Sequence, residues 1–279
     1  MKMTPQIIHE KQDLTYLSWS RISHSSGTAG SFLKAYSQLG GRKIYYKLSN
    51  YDNIRGVIGH ECVNEVIVDR LLTLLGLEHL HYQLIHADIL VSDALQETYL
   101  CASENFREQG EDKQALDVFY ESERSPDEGI LDFCSRMGWS KYIWNMLVVD
   151  YLILNRDRHG ANIEVLRNKK KKTLRLAPLF DHGLSLLYSC TDEDKIDSFD
   201  VMEDRQVQSY IGSRSAQNNL KLIPRAELPA FVPLRRDDKG FLMDGLDGII
   251  SQKRQDKIWE MIWRRWCYYE DFCNSGRNG

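Results

Sequence analysis

Apolar positions change their rhythm along the chain. The first third carries short runs of the kind that form strands, broken by turns. Ser31–Tyr36 and Lys43–Leu48 are such runs, and Gly40-Gly41 between them predicts a hairpin. Just ahead, His24–Ser31 collects small residues, among them Ser26, Gly27, Thr28, Gly30 and Ser31, which suits a tight turn whose backbone N–H groups converge on an anion. From Ile58 to Leu75 the spacing of Val63, Ile67, Leu71 and Leu74 predicts an amphipathic helix ended by Gly76, with Glu61 and Glu65 one turn apart on one face. Strand-like runs at Tyr82–Ile89 and Thr98–Ala102 lead into Ser103-Glu104-Asn105-Phe106. The polar stretch Arg107–Lys113 follows, and the pattern becomes helical, so a lobe boundary is expected between residues 106 and 107. Ile143, Leu147, Tyr151 and Leu154 then mark a buried helix that runs into Asn155–Asn162. Ile163–Leu166 and Leu174–Phe180 read as strands around a Lys169–Lys172 turn, and the second ends at Asp181-His182-Gly183. Ile258, Trp259, Ile262, Trp263 and Trp266 predict a closing aromatic helix, more suited to core packing than to a partner groove.

Composition narrows this picture. With 279 residues, 42% hydrophobic and 27% charged, the chain is expected to be globular rather than disordered. Its 36 basic against 40 acidic side chains give a net charge of -4, which argues against nucleic acid or an anionic membrane as a partner. The four lysines at 169–172 are expected to be a solvated hairpin tip. Six scattered cysteines without a C-x-x-C pair encode neither a zinc knuckle nor a disulfide framework. No apolar stretch of signal or membrane-spanning length is present, so a cytoplasmic location is expected.

The chemistry lies in the middle of the chain. Phosphoryl transfer needs a carboxylate that orients the acceptor hydroxyl, a neutral oxygen ligand on the same loop, and a second carboxylate to complete a magnesium site. Asp157, Asn162 and Asp181 supply these groups in that order. The five-residue interval from Asp157 to Asn162 is that of a protein-kinase catalytic loop, and Asp181-His182-Gly183 stands where such kinases carry D-F-G. Either piece alone is common in surface turns. Their order, after a Gly-containing turn, a Lys-bearing strand and a Glu-bearing helix, is what points to chemistry.

These residues resemble the HipA-like serine/threonine kinases, most clearly over Asp150–Asn162 and Ala177–Leu186. The resemblance implies an α+β, bilobal protein-kinase-like fold, with a small antiparallel-sheet N-lobe (1–106) and a mainly helical C-lobe (107–279). It also implies ATP and Mg2+ as cofactors, transfer to a Ser/Thr hydroxyl of a protein substrate, and an antitoxin-like partner. The chain is shorter than full-length members and is expected to match their compact single-chain variants. Carried over by position, Asp157 becomes the catalytic base and Asn162 and Asp181 the magnesium ligands. Lys47 becomes the phosphate-anchoring lysine, with Lys34 as competitor. Glu65 positions that lysine, with Glu61 in reserve. Ser103, Glu104 and Phe106 fall at the interlobe hinge that would hold adenine, although a plain connector fits them equally well. Residues 26–31 resemble the phosphate-covering loop, whose serines and Thr28 are candidate autophosphorylation points. His159 is assigned to the nucleotide-site loop, in a shape-holding role.

Two other functions use the same residues. One is a phosphotransferase of the same fold acting on a small molecule or lipid; the other is a non-catalytic nucleotide-binding regulator working through a partner protein. The acidic stretch within residues 188–204 falls where an activation or substrate-binding segment is expected.

Overall fold

The computed structural model describes residues 6–22 and 29–275; Ser26, Gly27 and Thr28 of the expected phosphate-covering loop lie outside them. Strands β1 (Ile7–Asp13), β2 (Ser20–Ile22), β3 (Ala29–Leu39) and β4 (Arg42–Lys47) open the chain, followed by the short ribbon β5 (Tyr51–Asp52) and β6 (Gly56–Val57). Helix α1 (Glu61–Leu74) then leads to β7 (Gln83–Val91) and β8 (Ala94–Glu104). Six of these strands form one sheet in the order β1-β7-β8-β4-β3-β2. The predicted hairpin is β3–β4, and Gly40 and Gly41 turn it with φ of +57° and +81°, values that favour glycine in a two-residue loop.

The sheet differs from the expected all-antiparallel one at its edge, where β1 runs parallel to β7. β1 has mostly exposed, charged side chains, so its sequence lacks the alternation that marks a strand.

Side chains on the sheet alternate between two environments, and this alternation positions the site. Tyr46 and Leu48, Ile85, Ala87 and Ile89, and Leu100 and Ala102 face one core together with Leu14 and Leu17. Residues of the other parity, Leu84 and Cys101, join the main core around α1. Lys47 lies between Tyr46 and Leu48, so the period of two turns it toward α1.

The amphipathic reading of α1 needs correction, because every residue from Glu61 to Leu72 is buried. The helix is enclosed by the sheet on one side and by later segments on the other. Its polar positions are therefore each satisfied: Glu61 accepts from the Asn50 N–H, Asn64 donates to Gly183, Asp69 accepts from the Tyr82 N–H, and Arg70 donates to the Leu242 carbonyl.

Beyond Glu104 the chain forms β9 (Asp112–Ala115), α2 (Leu116–Glu123), α3 (Ile130–Arg136) and α4 (Ser140–Leu152). A two-residue strand β10 (Asp157–Arg158) and the hairpin β11 (Glu164–Asn168) and β12 (Thr173–Leu176) follow. The end of the stretch expected to be polar and helical is strand β9, which pairs with β11 and completes a three-stranded sheet β12-β11-β9. β12 stops at Leu176, short of the expected Phe180, and the next residues run irregularly, with Leu179 bridged to His79. The remainder holds α5 (Asp194–Asp197), β13 (Gln208–Ser209), α6 (Ala216–Asn219), α7 (Asp238–Met243) and α8 (Gln252–Asn274). α8 is the predicted aromatic helix, and it buries Ile258, Ile262 and Trp266 in the main core. At the 169–172 turn, Lys171 pairs with Glu108 at 2.8 Å between exposed side chains. Among the described residues no helix is long and apolar enough to cross a membrane, and the six cysteines are free.

Candidate active site

Three distant parts of the sequence meet at one ammonium group. Lys47 Nζ lies 2.9 Å from Glu65 Oε1 and 2.5 Å from Asp181 Oδ1, and above the Phe32 ring at 4.8 Å. β4 supplies the lysine, α1 the glutamate, and the segment after the β11–β12 hairpin the aspartate. Burial works against a charged lysine. Asp181 and Glu65 overcome it and hold Lys47 protonated, well above its ordinary value. Burial would likewise raise the Asp181 carboxyl, but Lys47 and then Lys34 hold it well below the carboxylate range.

Lys34 stands directly opposite Lys47 in the β3–β4 register, so both lysines occupy one face of the sheet. The geometry separates the competing residues. Lys47 is gripped by both carboxylates, while Lys34 contributes its charge to Asp181 from the neighbouring strand. Glu65 rather than Glu61 reaches Lys47, since the Glu61 carboxylate accepts from the Asn50 N–H at 3.0 Å.

The Asp181 segment is fastened to α1 by backbone contacts. Glu65 Oε2 accepts from the His182 N–H at 2.8 Å, and the Asn64 amide donates to the Gly183 and Ser185 carbonyls at 2.9 and 3.0 Å. A Cβ on Gly183 would stand 3.1 Å from the Glu61 Cβ and 3.3 Å from Glu65 Oε1, so a side chain there would push the segment and the helix apart by a few tenths of an ångström. Asp181 itself has φ of +58°, a left-handed conformation that a non-glycine residue holds only where its surroundings fix it.

Arg158 joins the loop at 155–162 to this segment. It is 1% exposed, and its guanidinium binds Asp150 through Nε and Nη2 at 3.0 and 2.9 Å. Its Nη1 donates to the Asn162 carbonyl at 3.2 Å and to the Phe180 carbonyl at 3.0 Å, so one side chain holds the backbones of Asn162 and of the residue before Asp181 together. Asn162 donates its amide N–H to the Asp157 carbonyl at 2.7 Å, which leaves its Oδ1 as the atom available to a cation. Asp157 is part-buried, and burial, reinforced by the nearby Asp181 charge, raises its carboxyl above the ordinary value despite His159. His159 Nε2 stands 3.7 Å from Asp157 Oδ2 with its side chain 37% exposed. Its carbonyl accepts from the Asn162 N–H at 2.9 Å, and Arg158 beside it ties the loop to the Asp181 segment.

Ser103 and Glu104 belong to the end of β8, where they pair with Tyr45 and Ile44, so the strand runs further than a free connector would. Glu104 is bonded to Arg42 on the surface, and Phe106 packs on Phe180, beside Asp181, at 5.6 Å between ring centroids. Gly30 and Ser31 lie within β3.

Asp157, Asn162, Asp181, Lys47 and Glu65 thus converge. Sequence reasoning passed over Arg158, Asn64 and Tyr82, whose hydroxyl accepts from the Asp181 N–H at 3.3 Å. One signal was present: Asp150 interrupts an apolar helix, and a buried carboxylate demands a cation, here eight residues on.

The oxygen donors of Asn162 and Asp181 suit a hard divalent cation such as magnesium, and the Asp157 and Asp181 charges together exceed what Lys47 neutralises.

Comparison with known proteins bears on the fold. No family model matches the chain. Over 52 residues, 19% of the chain, it is 42% identical to the serine/threonine-protein kinase CtkA of Helicobacter pylori strain J99, and the matched stretch spans 16% of that relative's length. The crystal structure of a Helicobacter pylori proinflammatory kinase CtkA superposes with a TM-score of 0.62 at 15% identity, covering 95% of this chain and 98% of the other. HipA of Shewanella oneidensis, solved with HipB and operator DNA, gives a TM-score of 0.42 at 14% identity over 90% of this chain and 59% of its own, too loose a likeness to argue from. The resemblance to HipA-like kinases read from the sequence stands, and the chain has the α+β protein-kinase-like fold of the kinase CtkA.

Proposed function

We propose that this chain is an ATP- and magnesium-dependent serine/threonine protein kinase of HipA-like type. The observation that carries the reading is the Lys47 ammonium held between Glu65 and Asp181, since a strand, a helix and a post-hairpin segment have no packing reason to spend three charges at one buried point. In this reading Glu65 fixes Lys47, which presents a compact positive charge to the nucleotide phosphates, and Lys34 adds a second beside it. Asn162 and Asp181 hold Mg2+, which supplies charge neutralisation on the phosphates when bound. Asp157 accepts a hydrogen bond from the acceptor hydroxyl and orients it for in-line attack; its raised affinity for protons favours taking up the hydroxyl proton. Arg158 keeps Asp157 and Asn162 in register with Asp181. Ser103–Phe106 receives adenine where the six-stranded sheet ends, and His159 borders the same site. The lobes divide at residues 106 and 107, close to where β8 ends. Positioning and charge stabilisation account for most of the rate.

A protein substrate and an antitoxin-like partner belong to the same proposal. It is tested by incubating the chain with magnesium and γ-labelled ATP in the presence of a protein acceptor mixture, and separately with metabolites and lipid vesicles. Label on protein Ser or Thr is the expected result. Label confined to a metabolite or lipid overturns the protein acceptor. Thermal stabilisation by ATP without any transfer overturns catalysis and favours a nucleotide-binding regulator.

A further inference from the structure

A second cluster lies on the far half of α1, away from Lys47. Asp69, His79 and His81 each offer one ligand atom, and the three atoms lie within 4.8 Å of one another. His79 Nε2 is 2.8 Å and His81 Nδ1 is 3.1 Å from the same oxygen, Asp69 Oδ1. The donors around them are otherwise committed. His79 Nδ1 is 2.7 Å from the Leu77 carbonyl, an oxygen that only accepts, so Nδ1 is the donor there, and a ring carrying a single proton then presents a lone pair at Nε2. The Thr73 hydroxyl, 3.4 Å from Nε2, gives its proton to the Asp69 carbonyl at 3.0 Å. Asp69 Oδ2 is filled by the Tyr82 N–H at 2.7 Å and the Gln6 amide at 3.1 Å. A lone pair of a buried imidazole therefore faces a carboxylate oxygen at close range, and only a cation or an extra proton makes that arrangement favourable.

We propose that Asp69, His79 and His81 bind a divalent transition-metal ion of the zinc class, with a fourth position open to solvent beside His81. Two imidazole nitrogens and one carboxylate oxygen are the donors such ions prefer, whereas magnesium and calcium select oxygen alone. Tetrahedral bonds of about 2 Å separate donors by about 3.3 Å, near the 2.8 and 3.1 Å from Asp69 Oδ1 to the two imidazole nitrogens. The outer partners match the pattern of a built site: His79 is fixed by a backbone carbonyl and the carboxylate by two N–H donors. The ion ties α1 to the start of β7. It also braces the run that ends at Asp181, because Leu80 donates to the Leu179 carbonyl at 2.9 Å. Asp69 follows Glu65 by one helical turn, so the metal steadies the helix that holds Lys47. The site stands or falls independently of kinase activity.

Cobalt(II) is the direct probe, titrated into the full chain after chelator treatment and in excess magnesium, with visible absorption as the readout. The expected result is one equivalent bound with the d–d bands of a four-coordinate site. His81→Ala, at a side chain 76% exposed and so tolerated by the fold, weakens binding about tenfold or more, and Asp181→Asn leaves it unchanged. Absence of saturable binding, binding equal in His81→Ala, loss of binding in Asp181→Asn, or a thiolate charge-transfer band would each overturn the site; the first would leave an imidazolium–carboxylate pair in its place.

Discussion

Two buried ion pairs meet at the candidate site, and they are built for opposite ends. Around Arg158 the charges balance: one guanidinium meets one carboxylate, Asp150, and spends its other N–H groups on the Asn162 and Phe180 carbonyls, and Asn155 adds its amide to Asp150. Around Lys47 they do not. One ammonium serves two carboxylates, the Asp181 side chain is 26% exposed, Asp157 adds a further negative charge, and a second lysine stands across the strand. A closed pair fixes backbone geometry and has nothing left to offer a ligand. An open cluster with unbalanced charge keeps affinity for ions of both signs, which is what a metal–nucleotide complex brings.

This contrast is sharpest in stability. Arg158→Met leaves Asp150 buried without its cation and is expected to cost about 3–5 kcal/mol, read as a lower denaturant midpoint; removing both charges in Asp150→Leu/Arg158→Met should recover much of it. If the single variant melts like the wild type, the closed pair is not what holds the loop.

A smaller effect concerns the anchoring of α1. Burial, and beyond it the Arg254 charge, lowers His60 at the start of the helix from 6.5 to about 4. Between these values the unfolded chain takes up a proton that the folded chain refuses. Stability from this group is therefore intact above about pH 6.5 and is lost as the pH falls toward 4, by at most about 3 kcal/mol. His60→Asn should flatten that part of the curve in thermal melts run across the window; an unchanged slope would remove His60 from the account.

Smallest in stability is Asp181→Asn. It removes a carboxylate that Lys47 and Lys34 favour in its charged form but leaves Lys47 paired with Glu65, so the ligand-free protein should lose about 1–2 kcal/mol. The same variant should lose the rise in melting temperature that Mg-ATP gives the wild type. A large loss of ligand-free stability would make the Lys47 cluster a structural pair like the other.

The sequence carried the parts of this comparison unevenly. The β3–β4 hairpin was legible because Gly40-Gly41 sits between alternating runs, and α4 because its apolar spacing is regular. Asp157, Asn162 and Asp181 were legible from a fixed interval and order, since loop chemistry is local. β1 and β9 were not, as both are polar strands whose pairing partners lie far along the chain. The all-round burial of α1 was hidden for a related reason: Glu61, Asn64, Glu65, Asp69 and Arg70 look like a solvent face until their distant partners are known. Arg158 reads as an ordinary loop residue until Asp150 is seen to be buried beside it.

Phosphate transfer with and without the Asp157 carboxylate tests the central claim most directly. The wild type and Asp157→Ala would each be incubated with Mg-ATP and an acceptor protein mixture, and phosphate on Ser and Thr quantified by mass spectrometry beside the ATP-induced shift in melting temperature. The account predicts transfer reduced by about 10²- to 10⁴-fold in the variant with the ATP shift retained. Equal transfer by both proteins would contradict it.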